Sequence, residues 1–199
     1  MAKNTRKPHF ILYAAVSLDG MITNGEKEGS EWTSTEDKRF FHRELNASDV
    51  AIMGRKTFEA IKRPLKPRNR IVFSRRGFSL SKGSTAVFGR RGVLLLKNPT
   101  VRRLYSLLSH HNWTRIAVVG GTSIYDWFLK RNLVHEIYLT VEPLTFGTGK
   151  PLALDGLKRF SKFELVSVKR LNATGTLLLH YARRTSNTHD SHLSLAKAI

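Results

Sequence analysis

Three short clusters in this chain have the residue types and spacing to hold anions. Gly54 is followed by Arg55, Lys56 and Thr57, and Gly120-Gly121 is followed by Thr122 and Ser123. Ser74, Arg75 and Arg76 form the third cluster. Glycine lets backbone approach a ligand closely, and free N–H groups at a helix start favour negative charge. Cations and hydroxyls beside them suit a phosphate. A strand–glycine–helix turn is also commonly plain tight packing, and neither glycine site is a G-x-G-x-x-G fingerprint or a P-loop. "FGTGK" at 146–150 lacks the P-loop spacing and its following hydroxyl. Taken together, the three clusters point to a dinucleotide with an extra phosphate, which is NADPH.

Asp37 offers a different chemistry. An acid in the first turn of a helix ordinarily complements the helix dipole. Asp37 and Phe41 are four residues apart, however, and so share one helix face. A carboxylate beside an aromatic ring suits a planar heterocycle with an amidine-like edge. The histidines are less informative. His110-His111 and the pair His189 and His192 have no acids or cysteines arranged around them, and no metal site is expected.

Composition narrows the setting. The 199 residues include no Cys, which excludes disulfides, thiolate zinc sites and cysteine nucleophiles. No apolar run approaches the roughly 18–20 residues that span a bilayer. "FILYAAV" is too short and too strand-like for a secretory signal, so a cytoplasmic protein is expected. The formal net charge is +19. From Arg55 to Arg103, fifteen Lys and Arg face one acid, Glu59, so that half should carry a positive field. Such a field attracts anionic ligands, a generally basic solvated surface is the plain alternative, and a nucleic-acid partner stays open without being favoured.

These groups need elements to position them. "HFILYAAVSL" reads as a strand covered on both faces. Ser34 or Thr35 caps a helix carrying Asp37, Phe40 and Phe41. "DVAIMG" is a buried strand running into a helix at Arg55, and "NRIVFS", "STAVFG" and "GVLLLKN" are further strands. Pro99 is placed in the first turn of a helix through "TVRRLYSLLSHH". "RIAVVGG" is a strand breaking into the helix "SIYDWFLKRN", and "HEIYLTVEP" is another strand. The last third alternates like an antiparallel hairpin around "NATG". This order predicts an α/β fold with a mixed, mostly parallel central sheet between helical layers, closed by a C-terminal antiparallel hairpin. The expected organisation is a basic arm at 1–8, one domain at 9–184 and a polar tail at 185–199. In such sheets ligands bind beyond the carboxyl ends of the parallel strands, where all three anion clusters fall.

The block "IMGRKTFEAIKRPLKPRNRIVFSRR" resembles dihydrofolate reductase, as do Trp32 five residues before Asp37, "VVGGTSIY" at 118–125 and "YLT" at 138–140. The resemblance implies that Asp37, backed by Thr140, binds the pterin edge and acts in catalysis. It places Phe41 against the substrate, Ile61 and Leu65 in the aminobenzoyl pocket, and Arg68 on the glutamate carboxylate. Arg55, Lys56, Thr57, Ser74 and Arg75 would receive the cofactor phosphates beside Gly54. Val119, Gly120, Gly121, Thr122, Ser123 and Ile124 would line the cofactor turn, its glycines joined by a cis peptide. Ala15, Ile22 and Tyr125 would surround the nicotinamide, with Ala15 also touching substrate.

Other features are similar to the riboflavin-pathway reductases, which share this fold. These are "WTSTEDKRFFHREL", "SLDG" and the "P-x-x-F-G-x-G-x-P-L" of residues 143–152. Lys38 also replaces the apolar neighbour expected beside a folate carboxylate. The resemblance therefore implies an NADPH-dependent reductase, acting first on 7,8-dihydrofolate and alternatively on a ribosylaminopyrimidine 5′-phosphate, as monomer or homodimer. A basic RNA-associated protein that has kept the fold is the non-enzymatic alternative.

Overall fold

A computed structural model describes residues 7–25, 31–61, 67, 69–75, 92–153 and 162–184. Its elements run β1 (His9–Val16), β2 (Met21–Thr23), α1 (Thr35–Asn46), β3 (Val50–Gly54), α2 (Arg55–Ala60), β4 (Arg70–Ser74) and β5 (Val93–Lys97). They continue as α3 (Val101–His110), β6 (Arg115–Val118), α4 (Thr122–Leu129), β7 (Val134–Val141), β8 (Lys150–Pro151), β9 (Phe163–Arg170) and β10 (Leu177–Arg183).

Eight strands form one sheet in the order β5-β4-β3-β6-β1-β7-β10-β9. From β5 to β7 every pairing is parallel, and β10 then pairs antiparallel with both β7 and β9. The architecture is the mixed, mostly parallel sheet expected from the alternating elements. β1 lies in its middle, which explains the unbroken apolar run: Phe10 to Tyr13 are all buried.

Each sheet face has its own core. Phe10, Leu12, Val50 and Ile116 pack with Leu104 and Leu108 of α3 and Phe128 of α4. Ile11, Tyr13, Ala51 and Met53 pack on the other face with Phe40 and Leu45 of α1. α1 starts at Ser34, whose side chain accepts a hydrogen bond from the Asp37 backbone N–H. α3 starts differently from its expectation. Thr100 is the cap and bonds the Arg103 N–H, leaving Pro99 one residue outside the helix. A hydroxyl that satisfies a free N–H outweighs the preset backbone angle of proline. In the last hairpin, Asn172 Oδ1 accepts from the Gly175 and Thr176 N–H groups, and Gly175 sits at φ +102. The strand expected in "STAVFG" lies outside the described residues.

Candidate active site

A cleft of about 2110 Å³ opens over the carboxyl ends of β1, β3, β4, β6 and β7. Single small-ligand sites occupy roughly 300–1,000 Å³, so this space admits a dinucleotide and a second molecule. Its shape follows from topology, because the helices after β3 and β6 leave the sheet there in succession.

At the floor lies Asp37, buried in the first turn of α1 at 7% exposure. Its Oδ1 accepts a hydrogen bond of 2.6 Å from Thr140 Oγ1, and the Thr33 side chain bonds it as well. Register places Thr140 on β7 beside Ala15 on β1, which also lines the cleft. Burial pushes the Asp37 carboxyl above the usual carboxylate range, against the opposing pull of Thr140 and Thr33. Nearby Glu142 adds to the rise, and Lys38 draws it down.

The second wall is bare backbone. Gly120 and Gly121 are joined by a cis peptide, and Gly120 has φ +96. A Cβ on Gly120 would lie 2.7 Å from Tyr125 Oη, so no larger residue fits beneath the turn. Tyr125 is buried and donates its hydroxyl to the Tyr13 carbonyl at 2.7 Å. It therefore props the turn from below. The Gly54 N–H bonds the Gly120 carbonyl at 2.8 Å, which locks the two glycine turns together. A Cβ on Gly121 would stand 3.6 Å from Thr57 Oγ1 and 3.8 Å from Ile22 Cδ1, so the cofactor candidates Ile22, Thr57 and Gly121 converge.

Arg55, Lys56, Ser74, Arg75 and Ser123 line the flank of this wall. Arg55 is exposed and pairs with Glu59 at 3.3 Å. α2 has only six residues, so the attraction for anions rests on these side chains and little on a helix dipole. The Thr122 hydroxyl donates to the Pro151 carbonyl at 2.7 Å and ties α4 to β8, a structural use that the sequence did not suggest. Val119, Ile124, Phe41 and Ile61 also line the cleft. Leu65, Arg68 and Arg76 lie outside the described residues. Among the described residues, no group of His, Cys, Asp or Glu converges to hold a metal ion, and no helix is long and apolar enough to cross a membrane.

Several residues emerge only in three dimensions. Tyr13 and Tyr138 line the cleft and stack at 5.5 Å, and His180 stacks on Tyr138 at 4.2 Å. Tyr13 and Ala15 alternate on one strand, a periodicity that places both on the Asp37 side of the sheet. Lys38 and His42, one helical turn apart, also line the cleft. Trp127 also lines the cleft, edge-on to Phe73 and capped by Arg131 at 4.4 Å. Glu142 is a buried staple, accepting from the Ser34 N–H and the Thr176 hydroxyl, each at 2.7 Å. Asp19 of "SLDG" accepts from the Ser17 hydroxyl and from the Phe146 and Gly147 N–H groups, which hold its carboxyl below the usual range. It pins the loop after β1 to the "FGTG" loop.

The family described as "RibD C-terminal domain" matches residues 8–177. The uncharacterized protein YwjB of Bacillus subtilis is 28% identical over 182 residues, covering 87% of this chain and 97% of that one. A dihydrofolate reductase of Haemophilus influenzae is 41% identical over 135 residues, 66% of this chain and 70% of its own. Among solved structures, the deaminase/5-amino-6-(5-phosphoribosylamino)uracil reductase of Thermotoga maritima superposes with TM-score 0.70 at 18% identity. That match covers 89% of this chain and 57% of the Thermotoga chain, so the present chain spans about half of it.

Proposed function

The chain belongs to the RibD C-terminal domain family, and from that premise we propose that it is an NADPH-dependent reductase of a ribosylaminopyrimidine 5′-phosphate. The observation that carries the reading is the buried Asp37–Thr140 pair on the floor of a cleft whose opposite wall is glycine backbone flanked by Arg55, Lys56 and Arg75. The bare turn at Gly120-Gly121 and its cationic flank fit a phosphorylated dinucleotide. When bound, that cofactor supplies a hydride.

The residues of the chain do the rest. Asp37 accepts hydrogen bonds from the N–H edge of the pyrimidine, with Thr140 holding the carboxylate in orientation. A ribosylamine opens to an imine, and its protonated form is the better hydride acceptor. A carboxylate in a water-poor cleft favours that cation electrostatically. Reduction adds one hydride at the sugar carbon and one proton at nitrogen, and leaves a ribitylamine. Phe41 offers an aromatic ring to the heterocycle, while Lys38 and His42 offer donors to the substrate phosphate.

This ordering puts the pyrimidine ahead of dihydrofolate, the reverse of the sequence expectation. The block that suggested folate supplies Gly54 to Thr57, which belong to the cofactor wall and suit either substrate. Leu65 and Arg68, the residues specific to a folate tail, lie outside the described residues. Dihydrofolate remains the second reading, motivated by the 41% identity to the Haemophilus enzyme. Incubation with NADPH and each substrate, with products identified by mass spectrometry, tests the choice. The ribityl product is expected, and conversion of dihydrofolate alone returns the folate reading.

A further inference from the structure

Three stacked rings cross the sheet next to the Asp37 floor. Tyr13 of β1, Tyr138 of β7 and His180 of β10 stand opposite one another in register. Tyr138 stacks on Tyr13 with centroids 5.5 Å apart. His180 lies on its other side at 4.2 Å, only 4° from parallel. Ala15 and Thr140 are the next registered pair on the same face, so the stack lies one layer from the Asp37–Thr140 bond.

Helix α1 rests on these rings. Phe40 meets Tyr138 at 5.3 Å and Tyr13 at 6.4 Å, and Phe41 meets Tyr13 edge-on at 6.3 Å. Asp37 precedes Phe40 by three residues and Phe41 by four, so it shares their side of the helix. Carboxylates pin both ends of the stack. Glu44 Oε2 accepts from the Tyr13 hydroxyl at 3.4 Å and from Arg115 at 3.0 Å. At the far end, Glu136 bridges two imidazoles, His180 Nε2 at 2.7 Å and His9 Nε2 at 2.6 Å.

We propose that His180 and Glu136 are positioning residues: through Tyr138 and Phe40 they set the seat of α1, and protonation of His180 tightens substrate binding. The inference rests on the proposed reduction only for its choice of ligand. Histidine changes charge between about pH 5 and 8. A protonated imidazole face-on to Tyr138 adds cation–π attraction, and the Glu136 carboxylate holds it there. The charged groups around it can be named strand by strand. On β1, His9 shares Glu136. His135 stacks on His9, and burial, with the His9 and Arg183 charges, pushes it down to about 4, so it stays neutral. Burial raises the Tyr138 hydroxyl, Glu136 and Glu44 add to the rise, and Arg115 and Arg43 offset it. On β9, Ser167 stands opposite His180, and Glu164 and Lys169 register two residues away on either side.

Calorimetric titration with 5-amino-6-(5-phosphoribosylamino)uracil, and separately with NADPH, at about pH 6 and about pH 8 tests the proposal. Relative to His180→Phe, the wild type should gain about two- to fivefold in pyrimidine affinity at the lower pH, because phenylalanine keeps the stack without the charge. Glu136→Gln should shrink that gain, since an amide offers one acceptor group to two imidazoles. His180→Ala should weaken pyrimidine binding at both pH values by about two- to tenfold, and His180→Phe should restore it at the higher pH. NADPH affinity and circular dichroism should stay unchanged in all three variants. A His180→Phe chain with the wild-type pH dependence, a His180→Ala chain that binds as tightly as wild type, or a parallel loss of NADPH affinity would each overturn the inference. If the wild type binds dihydrofolate and not the pyrimidine, the proposed substrate falls, and the same comparisons made with dihydrofolate decide this inference.

Discussion

Thr140 Oγ1 lies 2.6 Å from Asp37 Oδ1 across 103 positions of chain, joining the third residue of α1 to the penultimate residue of β7. Both groups are buried, at 1% and 7% exposure. The hydroxyl is thus committed to the carboxylate. Removing it should leave Asp37 with less to offset its desolvation.

Thr140→Val tests that link. A hydrogen bond to a charged group contributes about 1.5–3 kcal/mol, so kcat/KM should fall about tenfold or more near neutral pH. The Asp37 carboxyl should titrate higher still, and the acidic limb of the pH–rate profile should move to higher pH. Thr140→Ser should restore both. A valine variant with an unshifted profile would show that Thr140 only packs.

Asp37→Asn should cost activity and gain stability. Burial raises this carboxyl, so the folded state holds its proton more tightly than the unfolded chain does. Its ionisation therefore works against folding at pH values above the unfolded pKa of about 3.9, and the penalty vanishes only below that. The amide accepts the Thr140 bond without the charge. Thermal unfolding near neutral pH should shift upward, by about 2–4 °C per kcal/mol recovered, and the gain should shrink toward acid pH. Unchanged or lowered stability at neutral pH contradicts this account of the site.

Gly120→Ala should damage cofactor binding more than fold-wide strain explains. The added Cβ meets Tyr125 Oη at 2.7 Å, on a backbone already at φ +96. Gly147→Ala is the matched control, since its φ is +72 and nothing lies within 4 Å of the new atom. Both should lose roughly 1 kcal/mol of stability to the left-handed conformation, and Gly120→Ala should lose more through the Tyr125 contact. Only Gly120→Ala should weaken NADPH binding, about tenfold or more. Equal losses of binding would remove the cradle role.

Much of this fold was readable because burial on both faces of a central strand writes an unbroken apolar run, as in β1. Asp37 was readable because a helix repeats near every fourth residue and put it beside Phe41. Thr140 entered only through resemblance. Tyr138, Glu142 and Trp127 were illegible, since their roles depend on the registry of strands and helices distant in sequence. The Thr122 hydroxyl was assigned to a ligand because nothing local reveals the Pro151 carbonyl beside it. The order of substrates differs from the sequence expectation because one strong block, residues 52–76, contributes Gly54 to Thr57, which under the proposed function serve the cofactor and suit either substrate.

Arg75→Ala should separate the two nicotinamide cofactors. Arg75 and Ser74 sit at the end of β4 on the cationic flank, where an extra phosphate would be met. Loss of one charge-assisted bond should weaken NADPH about tenfold or more and leave NADH nearly unchanged. Arg55→Ala should act in the same direction, freeing Glu59 as well. Calorimetric titration with both cofactors measures the split, and parallel losses would contradict the assignment.

Transfer of label from cofactor to product reads the proposed hydride transfer itself. The wild-type chain is supplied with NADPH deuterated at the transferable nicotinamide position and with 5-amino-6-(5-phosphoribosylamino)uracil. Deuterium is expected on the first carbon of the ribityl chain, and Asp37→Asn should abolish its appearance while NADPH still binds. With dihydrofolate supplied in a parallel reaction, label found on tetrahydrofolate but never on the pyrimidine product would contradict the claim, as would full transfer by the Asp37→Asn variant.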